Sequence, residues 1–151
     1  MRPLLLHLTA LILLCCSCGH RTVYTQFYST PTKGWHQDSV LTYSAAIEDS
    51  TACYEVLLVV RHTAQYPYQN LWLFVDEYKD HMLLHRDTIE AMMADDYGRW
   101  LGKGIKRYEL PLQYDTQRRF FHSGEYTFRI QQGMRTEWLQ GITDVGLVIR
   151  E

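Results

Sequence analysis

The chain has 151 residues and a formal net charge of −2, which is enough length for one hydrophobic core and gives no excess of positive charge. The charge argues against nucleic acid as a partner, because phosphates are bound by basic surfaces. Aromatic residues make up 13% of the chain, with 11 Tyr and 4 Trp, and such residues favour strands and half-buried surfaces.

The first 17 residues have the pattern of a lipoprotein signal peptide. An arginine follows Met1, and residues 4–14 form an apolar core that is too short to span a bilayer. A lipoprotein peptidase cuts before a cysteine that follows a small residue, and Cys18 after Ser17 meets that requirement. Cys16 is the alternative, since Leu13 gives it the preferred aliphatic residue three places earlier. The sequence therefore predicts lipid on Cys18, with Cys16 as the second candidate.

The predicted anchor divides the chain into three parts: a signal peptide over residues 1–17, a lipidated tether over 18–34 and a domain over 35–151. Several acyl chains on one cysteine hold a protein stably at a membrane, since each buried CH₂ contributes about 0.8 kcal/mol. No acidic cluster follows Cys18, which favours a periplasm-facing domain over export to the cell surface. The remaining cysteine, Cys53, is expected to be a small buried hydrophobe.

Strand patterns dominate the first half of the domain. Strands are predicted over residues 40–47, 54–62 and 71–78, and a shorter one over 82–87. The second strand contains five consecutive aliphatic residues, which is typical of a central strand buried on both faces. The segment 89–96 is the only one with helical character.

The second half begins with a glycine-rich loop over residues 98–104 and continues with three strands. Residues 105–114 alternate, with Pro111 indicating an edge strand or a bulge. Residues 124–131 and 145–149 complete the set. The sequence thus predicts an all-β antiparallel β-sandwich of about seven or eight strands with little helix, and a closed barrel is the competing architecture.

Four blocks of the chain, taken in order, resemble the gliding-motility lipoprotein GldH family of the Bacteroidetes. They are residues 61–73, with Tyr66-Pro67-Tyr68 and Asn70-Leu71; residues 87–104, with the glycine-rich loop; residues 124–135; and residues 139–147. The resemblance implies a non-enzymatic envelope lipoprotein, an accessory of the gliding-motility and secretion machinery. It implies unidentified envelope proteins as partners, no cofactor and no catalytic residues.

Four aromatic side chains are candidates for binding, because they fall in loops or at strand starts: Tyr66, Tyr68, Trp72 and Trp100. Such rings could anchor a protein partner, or stack on a carbohydrate such as peptidoglycan. Alternatively, they fill the core or close its ends.

Metal and catalytic sites are not indicated by the sequence. His81 and His85 would lie about 13 Å apart on a strand, too far for one zinc ion. Asp95 and Asp96 could suggest calcium, but the residues after them do not supply oxygens at alternate positions. The chain also has no G-x-S-x-G nucleophile motif.

Overall fold

A computed structural model describes residues 20–151, which form eleven strands and no helix. The predicted signal peptide, Cys16 and Cys18 lie outside the described residues. Within residues 20–151 no helix is long and apolar enough to cross a membrane. The strands are β1 (Thr22–Ser29), β2 (Trp35–His36), β3 (Leu41–Ile47), β4 (Tyr54–Thr63), β5 (Asn70–Lys79), β6 (Met82–Met92), β7 (Lys103–Gly104), β8 (Arg107–Arg118), β9 (Gly124–Gln132), β10 (Trp138–Leu139) and β11 (Ile142–Arg150).

The strands form two antiparallel sheets that pack face to face as a sandwich. One sheet has the order β1-β11-β4-β8-β7, and the other β3-β9-β5-β6, while β2 and β10 form a small separate ladder. The strand count is eleven rather than the predicted seven or eight, because three strands of only two residues each add to the eight that have seven residues or more. The predicted all-β sandwich is confirmed.

The core lies between the two sheets, where alternate side chains of β3, β5 and β9 are buried. On β9 these are Tyr126, Phe128 and Ile130, at 2% exposure or less. Burying one such side chain stabilises the fold by about 1.5–3 kcal/mol. β4 lies between β11 and β8, and residues 56–60 are all buried, as the sequence predicts for a central strand.

Polar contacts join the two sheets along both sides of the sandwich. On one side the Tyr28 hydroxyl of β1 donates to the Thr42 carbonyl of β3 at 2.8 Å. On the other side the Tyr114 hydroxyl of β8 donates to the Asp87 carboxylate of β6 at 2.8 Å. An ion pair between Arg118 of β8 and Glu77 of β5 completes that side.

The loops of the sandwich lie at its two ends, which we call the entry end and the far end. The entry end holds the start of β1, where Thr22 pairs with Arg150, and the loops 48–53, 80–81 and 119–123. The far end holds the loops 30–34, 64–69, 93–102 and 133–137. The ten residues of β4 connect the two ends and span about 30 Å at the usual strand rise.

The helix predicted over residues 89–96 is wrong. Residues 89–92 belong to β6, where Leu71 pairs with Ala91 and Leu73 with Ile89. The buried side chains recur at every second residue, from Ala91 to Met93, which is the period of a strand. The helix-favouring composition of this segment is overridden by pairing with β5.

Two further expectations differ from the structure. The tether predicted over residues 18–34 contains β1, so Thr22–Ser29 are part of the main sheet and the folded unit begins well before residue 35. Cys53 is exposed in the loop between β3 and β4, and is not a buried hydrophobe.

Pro111 lies on β8 beyond the two-residue pairing with β7, which is consistent with the predicted edge position.

Candidate functional site

Three aromatic rings meet around a histidine at the far end, and a fourth packs against one of them. His62 is fully buried, and its ring stacks on Tyr108 with centroids 5.3 Å apart. Trp100 meets the same imidazole edge-on at 4.7 Å, and Tyr66 at 6.0 Å. Tyr68 packs edge-on against Tyr66 at 5.9 Å. Aromatic pairs in such geometries contribute about 0.5–1.5 kcal/mol beyond their buried area, so the contacts among these five residues, which we call the aromatic cluster, stabilise the far end.

Burial favours the uncharged form of His62. The pKa of its imidazole is lowered by desolvation, which outweighs the opposing hydrogen bond to the Thr63 carbonyl. Nδ1 lies 3.2 Å from that carbonyl and donates to it, whereas the buried Nε2 has no hydrogen-bond partner within residues 20–151. A neutral ring can stack between aromatic neighbours without the cost of desolvating a charge.

A tight loop between β6 and β7 places Trp100 against the imidazole. Trp100 forms a bridge with Ala94, and the Leu101 amide donates to the Met93 carbonyl at 2.9 Å. Inside the loop the Asp95 carboxylate accepts hydrogen bonds from the backbone and side chain of Arg99. The backbone hydrogen bond from Arg99 is the main reason that the pKa of Asp95 is lowered. Asp95 therefore holds the loop closed.

Two shallow depressions border the aromatic cluster, and Tyr68 lies between them. The first is bounded by the 66–69 and 94–100 loops, with Trp100 in its wall. The second is lined by Tyr68, Trp72 and the 133–135 loop. Trp72 is 37% exposed there, and its backbone amide donates to the Met134 sulfur at 3.4 Å.

The structure brings the four predicted aromatic residues to one end, with unequal exposure. Tyr66 is only 3% exposed, and its hydroxyl donates to the Asn70 carbonyl, so it supports the site from inside. Trp100 is half-buried. Tyr68 and Trp72 are the two with rings open to solvent, at 40% and 37%. Their roles in binding stay predictions.

Sequence reasoning missed the histidine at the centre of the cluster. The signal was present, because a period of two along β4 puts His62 on the inner face with Val56, Leu58 and Val60. It also missed the exposed apolar residues around the cluster. These are Phe74, Met92, Tyr97, Leu101 and Ile105.

Within the described part of the chain, no group of three or more His, Cys, Asp or Glu side chains could hold a metal ion. His81 lies in the turn after β5, while His85 lies on β6 with Nε2 2.8 Å from the Asp87 carboxylate. The two histidines therefore lie in different elements, one in a turn and one on a strand.

Comparison with known proteins identifies the family. The family model described as GldH lipoprotein matches residues 22–149. The chain is 34% identical over 148 residues to "Gliding motility lipoprotein GldH homolog" of Christiangramia forsetii, with 93% of this chain and 90% of the relative covered. It is 33% identical over 143 residues to "Gliding motility lipoprotein GldH" of Flavobacterium johnsoniae, covering 89% and 88%.

The chain belongs to the GldH lipoprotein family. Its likeness to solved structures is remote: a chain of infectious bursal disease virus, Gx strain, gives a TM-score of 0.34 at 15% identity over 87% of this chain and 31% of that one, which supports no argument. As a GldH-family lipoprotein, the chain is held at a membrane of the cell envelope. The family model extends over both ends of the sandwich, so the aromatic cluster lies inside the matched region.

Proposed function

We propose that this GldH-family domain works by contact with another protein of the envelope motility or secretion machinery, without catalysis. The observation that supports this most strongly is the set of exposed large apolar side chains gathered towards the far end. Isolated apolar residues are ordinary on a surface, but seven on the loops and strands of the far half of the domain are typical of an interaction site. They are Tyr68, Trp72, Phe74, Met92, Tyr97, Leu101 and Ile105.

The composition of this far-end surface suits a protein partner. Aromatic residues, Met and Arg are enriched in protein interfaces, and the second depression combines Trp72, Met134 and Arg135. Phe74 packs over Gly133, where an added Cβ would lie 3.2 Å from its ring.

A carbohydrate, for example peptidoglycan, is the alternative ligand. Sugars stack on ring faces that are open to solvent, and Tyr68 and Trp72 offer such faces beside the polar groups of Asn70 and Arg135. Tyr66 and Trp100 are too buried to add further stacking positions. The larger part of the exposed apolar set lies outside the second depression, which favours the protein partner.

We also propose that the domain faces the periplasm. This proposal rests on the absence of an acidic cluster after Cys18 in the sequence. A periplasmic far end would meet envelope proteins directly.

A photo-reactive phenylalanine at Tyr97, in the acylated protein in host membranes, tests the proposal. Tyr97 is 85% exposed at the far end, and Ser44 on the outer face of β3 is the matched exposed control. We expect a discrete crosslink from Tyr97 to a motility or secretion protein, and none from Ser44. Adding Trp72→Ala should lower the yield about tenfold, the loss typical of an interface anchor.

Two outcomes would contradict the proposal. The first is equal crosslinking from both positions, which would mean random encounter. The second is the absence of a protein product together with glycan-array binding that Trp72→Ala abolishes, which would support the carbohydrate alternative.

A further inference from the structure

A second, smaller set of exposed apolar side chains lies at the entry end of the sandwich. Phe121 is 86% exposed in the loop between β8 and β9, and Met82 is 65% exposed at the start of β6. Leu83 and Leu84 follow on the same strand at 41% and 42%. No function considered above uses these four residues, which we call the entry-end apolar set.

The loop that carries Phe121 is fixed to the domain at three points. Phe120 is buried in the core, with its ring 4.6 Å from that of Tyr126. The Tyr126 hydroxyl donates to the His122 carbonyl at 2.8 Å, and the Lys79 ammonium donates to the Ser123 carbonyl at 3.0 Å. Phe121 is thus held pointing outward by a structured loop.

The β5–β6 hairpin presents Met82 beside this loop. Asp80 and His81 both have positive φ, at 49° and 66°, which is the geometry of a two-residue hairpin turn that follows the twist of the strands. Lys79 pairs with Met82 across the turn and also contacts the 119–123 loop. Lys79 therefore links the hairpin that carries Met82 to the loop that carries Phe121.

The lipid anchor attaches at the same end. The Glu151 amide donates to the Arg21 carbonyl at 2.8 Å, so the chain is already tied to the sheet at Arg21. Three residue steps separate Cys18 from Arg21, and a fully extended chain covers at most about 11 Å in three steps. With Cys16 as the anchor the limit is about 18 Å. Either tether is shorter than the 30 Å or so between the entry end and the far end.

Charge does not define what this surface binds. Lys79 and Arg119 lie near the set, but so do Asp80 and Glu125, and the two signs offset each other. A highly charged partner is therefore not favoured, whereas the headgroup and acyl boundary of a bilayer accepts apolar side chains with mixed polar neighbours.

We propose that the entry-end apolar set inserts into the surface of the membrane that holds the lipid anchor. Anchor and set lie on opposite sides of the entry end, about three strand spacings or 14 Å apart, so together they fix the tilt of the domain. Because the lipid already holds the domain at the membrane, insertion of the apolar set is an intramolecular step, and a weak apolar contact is enough to keep the set inserted. The result is an upright domain with its far end directed away from the bilayer. This inference rests on the anchor and is independent of what the far end binds.

Depth-dependent fluorescence quenching tests the proposal with a control that the chain itself supplies. The four native tryptophans, Trp35, Trp72, Trp100 and Trp138, lie at or near the far end. The acylated full-length mature protein would be placed in phosphatidylethanolamine and phosphatidylglycerol vesicles that contain brominated phosphatidylcholine. Phe121→Trp then reports on the entry end, and Ile105→Trp, at a position 90% exposed near the far end, is the matched control. Circular dichroism checks that both variants fold.

The emission added by Phe121→Trp should fall at least about twofold on bromination, since interfacial side chains lie 5–10 Å into the headgroup and acyl boundary. The emission added by Ile105→Trp, and that of the native tryptophans, should be unchanged. Quenching of neither variant would overturn the proposal, since the set would then remain in water. Equal quenching of both, or quenching of Ile105→Trp alone, would overturn it too, because the domain would lie flat or inverted.

Discussion

Replacing Arg118 with methionine should destabilise the domain by about 3–5 kcal/mol, the loss typical of removing one partner of a buried ion pair. Glu77 is 1% exposed, and the Arg118 guanidinium is its only charged hydrogen-bond partner within residues 20–151. Methionine retains an apolar side chain of similar length beside Phe120, but it leaves the Glu77 carboxylate buried and unpaired. Chemical denaturation at pH 7 would measure the loss in the free energy of unfolding.

The matched control is Arg86→Met on the surface of the sheet that contains Glu77. Arg86 holds Asp76 through two hydrogen bonds of 2.7 and 2.8 Å, but its side chain is 66% exposed. A solvated pair contributes at most about 1 kcal/mol, so this variant should lose no more than that. Adding Glu77→Gln to Arg118→Met should recover much of the larger loss, because the buried charge is gone.

The loss in Arg118→Met should also depend on pH. Burial already raises the pKa of Glu77 against the opposing pull of Arg118, and removing the arginine raises that pKa further. A carboxyl whose folded pKa exceeds its unfolded pKa stabilises the fold at low pH, and this contribution is lost as pH rises through the folded value. The variant should thus be closer to the wild type at pH 5 than at pH 8. A loss equal to that of Arg86→Met, or one that is independent of pH, would contradict this account of Glu77.

Gly141→Ala should cost about 3 kcal/mol, or on the order of 10 °C in Tm. Gly141 has φ +84° in the turn between β10 and β11, and a Cβ there would lie 2.3 Å from the backbone nitrogen of Tyr66. The Thr63 amide also donates to the Gly141 carbonyl at 2.8 Å, so the turn cannot move without disturbing the end of β4. Thermal unfolding followed by circular dichroism measures the effect.

Gly98→Ala separates the two causes of that loss. Gly98 has a similar φ of +75°, but no atom lies within 4 Å of an added Cβ. It should therefore lose only the cost of the left-handed backbone, about 1 kcal/mol. Similar losses in both variants would show that the approach to Tyr66 can relax. A larger loss in Gly141→Ala, with weaker crosslinking from Tyr97, would connect this turn to the far-end surface.

The long strands could be predicted from the sequence because their burial repeats every two residues. β9 is the clear case, with alternating Tyr126, Phe128 and Ile130, whereas β4 was predicted from five consecutive aliphatic residues, which are buried because the strand is central. β1 could not be predicted in this way, since it is an edge strand with half-buried side chains on both faces. The strands β2, β7 and β10 are too short to show any period.

The candidate site was predictable only in part. Sequence position marked Tyr68 and Trp72 as aromatic residues beside turns, and both are open to solvent. The same reasoning could not separate them from Tyr66, because the burial of Tyr66 depends on the distant Gly141 and Trp100. The sequence also could not predict which loops share an end of the sandwich, because that depends on the order of the strands in the two sheets.

The intact mass of the mature protein from host membranes tests the lipid anchor. Both proposals depend on this anchor, because it places the entry end at the membrane and directs the far end away from it. We expect a chain that begins at Cys18 and carries the added mass of acyl groups. Cys18→Ala should leave an uncleaved or unacylated product. A mature chain without acyl mass, cut elsewhere than before Cys18 or Cys16, would contradict the account, because the entry end would then have no membrane beside it.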